Sequence, residues 1–151
     1  MRLAVAGDIA QLARLVEHYW RFENIAGYDA AQIQRLLSTL LSRPELGAIW
    51  IATLEREPLG YAIVTFMFSL EHRGMMAEID ELFVLPEARS QGWGARLLGA
   101  CQRDLGARDF VRLQLQIERD NHRARTFYQR HGFDDRAAYQ LLHQPLVRKA
   151  P

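Results

Sequence analysis

Cysteine occurs once in the 151 residues, at Cys101. An internal disulfide and a cysteine-based metal site are therefore both excluded. Lysine also occurs once, at Lys149, so nearly all of the 19 basic residues are arginine, and 18 acidic residues balance them. The resulting formal charge of +1 lacks the basic excess that general nucleic-acid binding requires. No apolar run reaches the length of a membrane-spanning helix, and the N-terminus enters a structured pattern without a secretory signal. The expected compartment is the cytoplasm, with neither nucleic acid nor a membrane as partner. Repeats, low-complexity runs and linkers are also missing, which predicts a single domain over residues 1–151. What remains is 49% hydrophobic and 25% charged, the composition of a chain with an ordinary core.

The periodicity predicts the order βααβββαβαβ. Arg2 to Ala6 reads as a short strand. Asp8 starts a helix, with Gln11 three residues on as in a capping box and Ile9, Leu12, Val16 and Tyr19 at helical spacing. A second helix covers Ala30 to Leu41, with Ile33, Leu36, Leu37 and Leu40 inward, and stops at Arg43-Pro44. Ala48 to Leu54 and Gly60 to Phe68 form a hairpin turning at Glu57-Pro58. Met76 to Val84 is the next strand, and Pro86 stops it. A helix from about Gly94 to Leu105, closed by Gly106, leads to a strand at Arg112 to Ile117. Asn121 caps a helix through Arg130, and Gly132 ends it. A last strand covers Ala138 to Leu142 and extends toward Val147. Together these predict an α/β fold: a mixed sheet with helices on both faces, containing one parallel crossover. Cys101 falls on the apolar side of its helix and reads as a core residue.

Between the Met76–Val84 strand and the following helix lies Arg89-Ser90-Gln91-Gly92-Trp93-Gly94-Ala95. The first amides of a helix have no intrahelical acceptors, and the dipole end there is positive. Glycines let a backbone approach phosphate closely, so strand, glycine loop and helix make a pyrophosphate cradle. The third glycine of a dinucleotide fingerprint is missing, and so is the Gly-Lys-Ser/Thr of a Walker loop. A plain helix-start turn is the alternative.

Three segments resemble the GNAT superfamily of N-acetyltransferases. Arg89-x-x-Gly92-x-Gly94 looks like its Arg/Gln-x-x-Gly-x-Gly/Ala motif. Ile79 to Pro86 resembles its central strand, and Asn121 to Phe133, reading Asn-x-x-Ala-x-x-Phe-Tyr-x-x-x-Gly-Phe, resembles its second signature. The resemblance covers nearly the whole chain and implies the GNAT acyl-CoA N-acyltransferase fold. It implies acetyl-CoA as co-substrate and no metal. Its pyrophosphate would rest on the amides of Ser90, Gln91, Gly92, Trp93, Gly94 and Ala95, with Arg89 adding charge. Ser90 and Trp93 depart from the commonest residues there but keep their amides. Trp93 either packs under the loop or touches the cofactor. A bulged central strand would expose Leu82, Phe83 and Val84 to the pantetheine arm, one N–H serving as oxyanion donor. Asn121 would contact the cofactor, cap its helix, or do both. Tyr128 matches the family's general acid, its bland alternative being a core aromatic.

An amine acceptor must lose a proton before it can attack. Glu78, Asp80 and Glu81 sit on a strand expected to be central, where carboxylates are costly unless paired, hydrated or functional. Alternation puts Glu78 and Asp80 on one face and Glu81 on the other unless a bulge re-aims them. Related enzymes place a base at a position matching Glu78 or Asp80, with Glu81 in reserve; holding an arginine or a loop is the alternative role for each. The stretch Phe66 to Val84 most closely resembles the branch containing diamine and polyamine acetyltransferases. Glu17, Glu23 and Glu71 could then join the strand acids, with Tyr19, Trp20, Phe22, Tyr28 and Phe68 as walls. The expected reaction is acetyl transfer to the primary amine of a small molecule through a ternary complex. Protein N-terminal or lysine acetylation is an alternative, and a non-catalytic acetyl-CoA-binding module is one of another class. Family dimers are common, so a homodimer is compatible.

Overall fold

The computed structural model describes residues 1–146. The elements run β1 (Arg2–Leu3), a 3-10 turn (Ala6–Asp8), α1 (Ile9–Phe22), α2 (Ala30–Ser42), β2 (Gly47–Leu54), β3 (Glu57–Ser69), β4 (Gly74–Val84), a second 3-10 turn (Pro86–Ala88), α3 (Trp93–Ala107), β5 (Arg112–Leu115) and α4 (His122–Gln129). Met1–Gln116 forms one compact unit, and the described residues from Ile117 onward form a second.

The first unit is built on a mixed sheet in the order β1-β2-β3-β4-β5. The first four strands pair antiparallel, and β4 pairs β5 in parallel, as the crossover through α3 predicts. Alternation sorts the apolar strand residues onto two faces. Ile49, Ile51, Tyr61, Ile63 and Phe83 pack with Leu12, Leu15, Val16, Ile33 and Leu37 of α1 and α2. The intervening residues, among them Trp50, Ala62 and Val64, are equally buried, and α3 contacts β2, β3 and β4 with its buried stripe Leu97, Leu98, Cys101 and Leu105. Gly60 is required where it stands: a Cβ there would lie 2.4 Å from the Phe83 carbonyl oxygen.

Several boundaries differ from the sequence reading. The hairpin turns at Glu55 and Arg56, whose φ values are +50° and +74°, not at Glu57-Pro58. Two left-handed residues in succession match the twist of the flanking strands, and Pro58 is accommodated beside a register shift in β3. Leu36 is 56% exposed rather than inward. Gly106 lies inside α3, which ends at Ala107. No strand forms at Ala138 to Leu142. The chain turns there instead, and the Tyr139 amide is spent on the Arg136 carbonyl at 2.9 Å. Val147 lies outside the described residues.

Asp8 does not cap α1. Its carboxylate accepts two hydrogen bonds from the Arg2 guanidinium, each 2.7 Å, and one from the Val5 amide at 2.8 Å. It closes the turn before the helix and ties β1 to it. It is buried, and the Arg2 hydrogen bonds hold its carboxyl below the usual range, against the cost of burial. Asp8→Ala is expected to cost about 1–3 kcal/mol near neutral pH, the usual range for a broken buried hydrogen-bonded group. A depressed folded-state pKa gives stability that is complete above the ordinary Asp value of about 3.9 and is lost as pH falls through the lower folded value. The difference between parent and variant in urea denaturation therefore shrinks in strong acid.

Candidate active site

The site begins at an irregularity in β4. Ile63 faces Glu81 and Val64 faces Ile79, so Asp80 has no partner on β3. That extra residue is a β-bulge, and it cancels the alternation. Asp80 and Glu81 therefore line the same cavity on the α1/α2 side of the sheet. The sequence reading put Glu81 on the opposite face unless a bulge re-aimed it, and this one residue does so.

The cavity has a volume of about 180 Å³. Helix α2 lines it with Ile33, Leu36, Leu37 and Leu40, and α1 with Val16 and Trp20. The sheet supplies Ile63 and Thr65 beside the two acids. Glu81 is fixed from two sides: Trp20 Nε1 donates to Oε1 at 3.0 Å, and the Tyr61 hydroxyl donates to Oε2 at 2.6 Å. Desolvation raises the Glu81 pKa, while these two donors pull it down. Tyr61 is fully buried. Burial first, and the Glu81 charge second, push its phenol far above the ordinary tyrosine value, so it remains a donor. Asp80 is exposed at the cavity. Its pKa is raised by desolvation and then by the neighbouring Glu78 charge. Glu78 itself accepts from Gln114 Nε2 at 2.6 Å and Gln116 Nε2 at 2.9 Å.

The other proposed acids do not join this group. Glu17 pairs with Arg21 at 2.8 Å, and neither Glu23 nor Glu71 lines the cavity. Of the aromatic residues expected as walls, only Trp20 does so. Tyr19 packs on Phe83, Tyr28 donates to the Ala13 carbonyl, and Phe68 is exposed.

Beyond the bulge, β4 loses its second neighbour. Pairing with β5 covers Met76–Ile79 only, while pairing with β3 continues to Val84. The Leu85 amide donates to Leu59 on the β3 side. By alternation the N–H groups of Leu82 and Val84 face the opposite, unpaired edge, and that of Phe83 faces β3.

The loop after β4 is shaped by left-handed residues at Ser90 (φ +62°) and Gly92 (φ +80°), separated by Gln91 at negative φ. Alternation of this kind turns successive amides into a concavity that suits an anion. The amides of Ser90, Gln91, Gly92, Trp93, Gly94 and Ala95 have no acceptor among the described residues; the flanking ones, Arg89 and Arg96, donate to Pro86 and Gly92. A Cβ on Gly92 would meet nothing within 4 Å, so the space above the loop is open. The Arg89 side chain folds back: Nε donates to the Val84 carbonyl at 3.0 Å, and the guanidinium lies 4.3 Å from the Phe22 ring centroid. Trp93 stacks with Arg96, 3.8 Å from its ring centroid, and Arg96 also donates to the Gln91 carbonyl.

In the second unit, Asn121 caps α4 by accepting from the Ala124 amide at 3.0 Å, as expected. Tyr128 packs edge-on against Phe127 and Phe133, and Gly132 (φ +86°) terminates the turn after the helix. The single thiol takes no part: burial pushes Cys101 up to about 12.

Sequence reasoning missed Tyr61 and Arg96. A tyrosine within an apolar strand needs a partner for its hydroxyl, which was a usable signal for Tyr61. Arg96 sits one helical turn into the glycine segment, where a cation could have been noticed. The N–H role of Trp20 left no trace in the sequence.

The family model for GNAT acetyltransferases matches residues 10–133. An uncharacterised N-acetyltransferase of Archaeoglobus fulgidus is 35% identical over 130 residues, which is 85% of this chain and 88% of the relative. An integron cassette protein from the mobile metagenome of Cole Harbour Salt Marsh has the same fold, with a TM-score of 0.87 and 28% identity over 98% of this chain and 91% of its own. A predicted acetyltransferase of Clostridium acetobutylicum, solved with acetyl-CoA, superposes with a TM-score of 0.79 at 20% identity, covering 94% of both chains. With a family match running from α1 to the end of the second signature, the chain belongs to the GNAT family of acetyltransferases.

Proposed function

We propose that this protein transfers the acetyl group of acetyl-CoA to the primary amine of a small molecule, by direct attack with both substrates bound. The observation that carries the reading is the run of amides from Ser90 to Ala95 with no acceptor among the described residues, beside a strand edge that no described strand pairs beyond Ile79. Free amides at a helix N-terminus suit a diphosphate, and an unpaired strand edge suits the amide groups of a pantetheine arm. The family match crosses the boundary between the two units, which supports one catalytic domain over the chain. Acetyl-CoA supplies an activated thioester.

The residues then have distinct tasks. The amides of Ser90 through Ala95 hold the diphosphate, and Arg96 adds charge at the loop. Asn121 helps to hold the cofactor, at a position its family signature shares. One of the N–H groups of Leu82 and Val84 offers a hydrogen bond to the negative charge that develops on the thioester oxygen, such a donor contributing roughly 3–4 kcal/mol, and the other is left for the pantetheine arm. Asp80 takes the proton of the acceptor ammonium, directly or through one water, freeing the nitrogen lone pair to form the C–N bond. It is preferred over Glu78, whose oxygens are already bound by two glutamine amides. Its raised pKa brings it closer to the operating pH, as a base requires. Tyr128 gives its phenolic proton to the sulfur as the C–S bond breaks. The proton released by the new amide nitrogen restores the phenol.

Three variants test this assignment. Tyr128→Phe and Asp80→Asn should each lower kcat by about 10²–10⁴-fold, the usual worth of an acid or base, while leaving acetyl-CoA affinity nearly intact. Gly92→Val should act in the opposite sense, weakening acetyl-CoA binding at least tenfold in calorimetric titration. Unchanged turnover in both catalytic variants, or tight cofactor binding by Gly92→Val, would defeat the respective roles.

A further inference from the structure

The cavity beside Asp80 and Glu81 has a chemistry of its own, and it narrows the acceptor. Six of its side chains are aliphatic: four from α2, with Val16 and Ile63. Its ionisable side chains are the two adjacent acids, Asp80 and Glu81. We infer that the acceptor is a monoamine with a compact apolar body, its ammonium held between Asp80 and Glu81 and its hydrocarbon part against α2.

This rests on the proposed amine transfer and deepens it. Size comes first. At about 180 Å³ the space slightly exceeds the roughly 150 Å³ of a closed cavity that accepts one benzene molecule, so its walls can enfold a single ring or a chain of about six carbons. Charge comes second. Glu81 keeps a fixed orientation because Trp20 and Tyr61 each hold one of its oxygens. The carboxylate retains unused lone pairs and lines the same cavity as Asp80. One cation is well matched by this pair. A second ammonium, as in a diamine or polyamine, would pass along the leucine and isoleucine side chains of α2 with no carboxylate of the cavity to pair it. Glu17, Glu23 and Glu71, the acids that could have served such a second charge, do not line the cavity. An aminosugar would place hydroxyl groups against the same aliphatic wall without partners.

The test is a comparison of acceptors with acetyl-CoA saturating and thiol release as the readout. Hexylamine and phenethylamine should exceed ethylamine and spermidine in kcat/KM by about 10–200-fold, the range over which an apolar pocket discriminates. Leu36→Glu then probes the wall directly. Leu36 lines the cavity yet is 56% exposed, so the substitution should leave the fold intact, as circular dichroism would verify. It should shift the kcat/KM ratio of hexylamine to 1,6-diaminohexane by at least tenfold toward the diamine, with the KM for acetyl-CoA unchanged. Spermidine or an aminoglycoside outperforming hexylamine in the parent would overturn the inference while leaving amine acetylation standing. Unaltered selectivity in Leu36→Glu would also overturn it. If no amine of any class were acetylated, the transferase reading would fail, and this inference with it.

Discussion

The geometry of the site depends on one extra residue in β4. A regular strand would send Asp80 and Glu81 to opposite sides of the sheet. The bulge brings both to the α1/α2 face. Bulges also bend a strand and increase its twist, and pairing with β5 stops at Ile79, immediately before the unpartnered Asp80. A single irregularity thus coincides with the convergence of two carboxylates and the opening of a strand edge. One strand thereby faces the cavity with its side chains and, among the described residues, has no strand partner on its other edge beyond Ile79.

What was legible in the sequence was the part governed by local rules. The glycine loop, the Asn121 cap, the hairpin and the parallel crossover all follow from short-range chemistry, and the structure contains each of them. The misread features depend on contacts and backbone conformations that residue type does not announce. Asp8 looks like a helix cap until Arg2 claims it. The true hairpin turn uses Glu55 and Arg56 in a conformation usually given to Asn-Gly, so no residue type announced it. Ala138 to Leu142 has strand-like composition, but a strand exists only by virtue of its ladder, and the local turn prevails there.

The candidate site divides along the same line. Its backbone components could be placed from the glycine spacing, because an amide is present whatever the side chain. The disposition of its acids could not, because it depends on where β3 and β4 fall out of register. Position 81 shows the difference. From sequence Glu81 is a reserve base that faces away from Glu78 and Asp80 unless a bulge re-aims it. In the fold it is clamped by an indole and a buried phenol sixty-one and twenty residues away, which suits it to hold a cation rather than shuttle a proton.

Arg89 links the parts of this arrangement. Its side chain spans from the loop to the carbonyl that ends β4 and to the aromatic ring that ends α1. The loop is therefore anchored at its first residue by contacts that need no ligand. Ordering a mobile segment on association consumes binding free energy. Here that conformational entropy is surrendered during folding, so the row of amides that follows Arg89 starts from a fixed point.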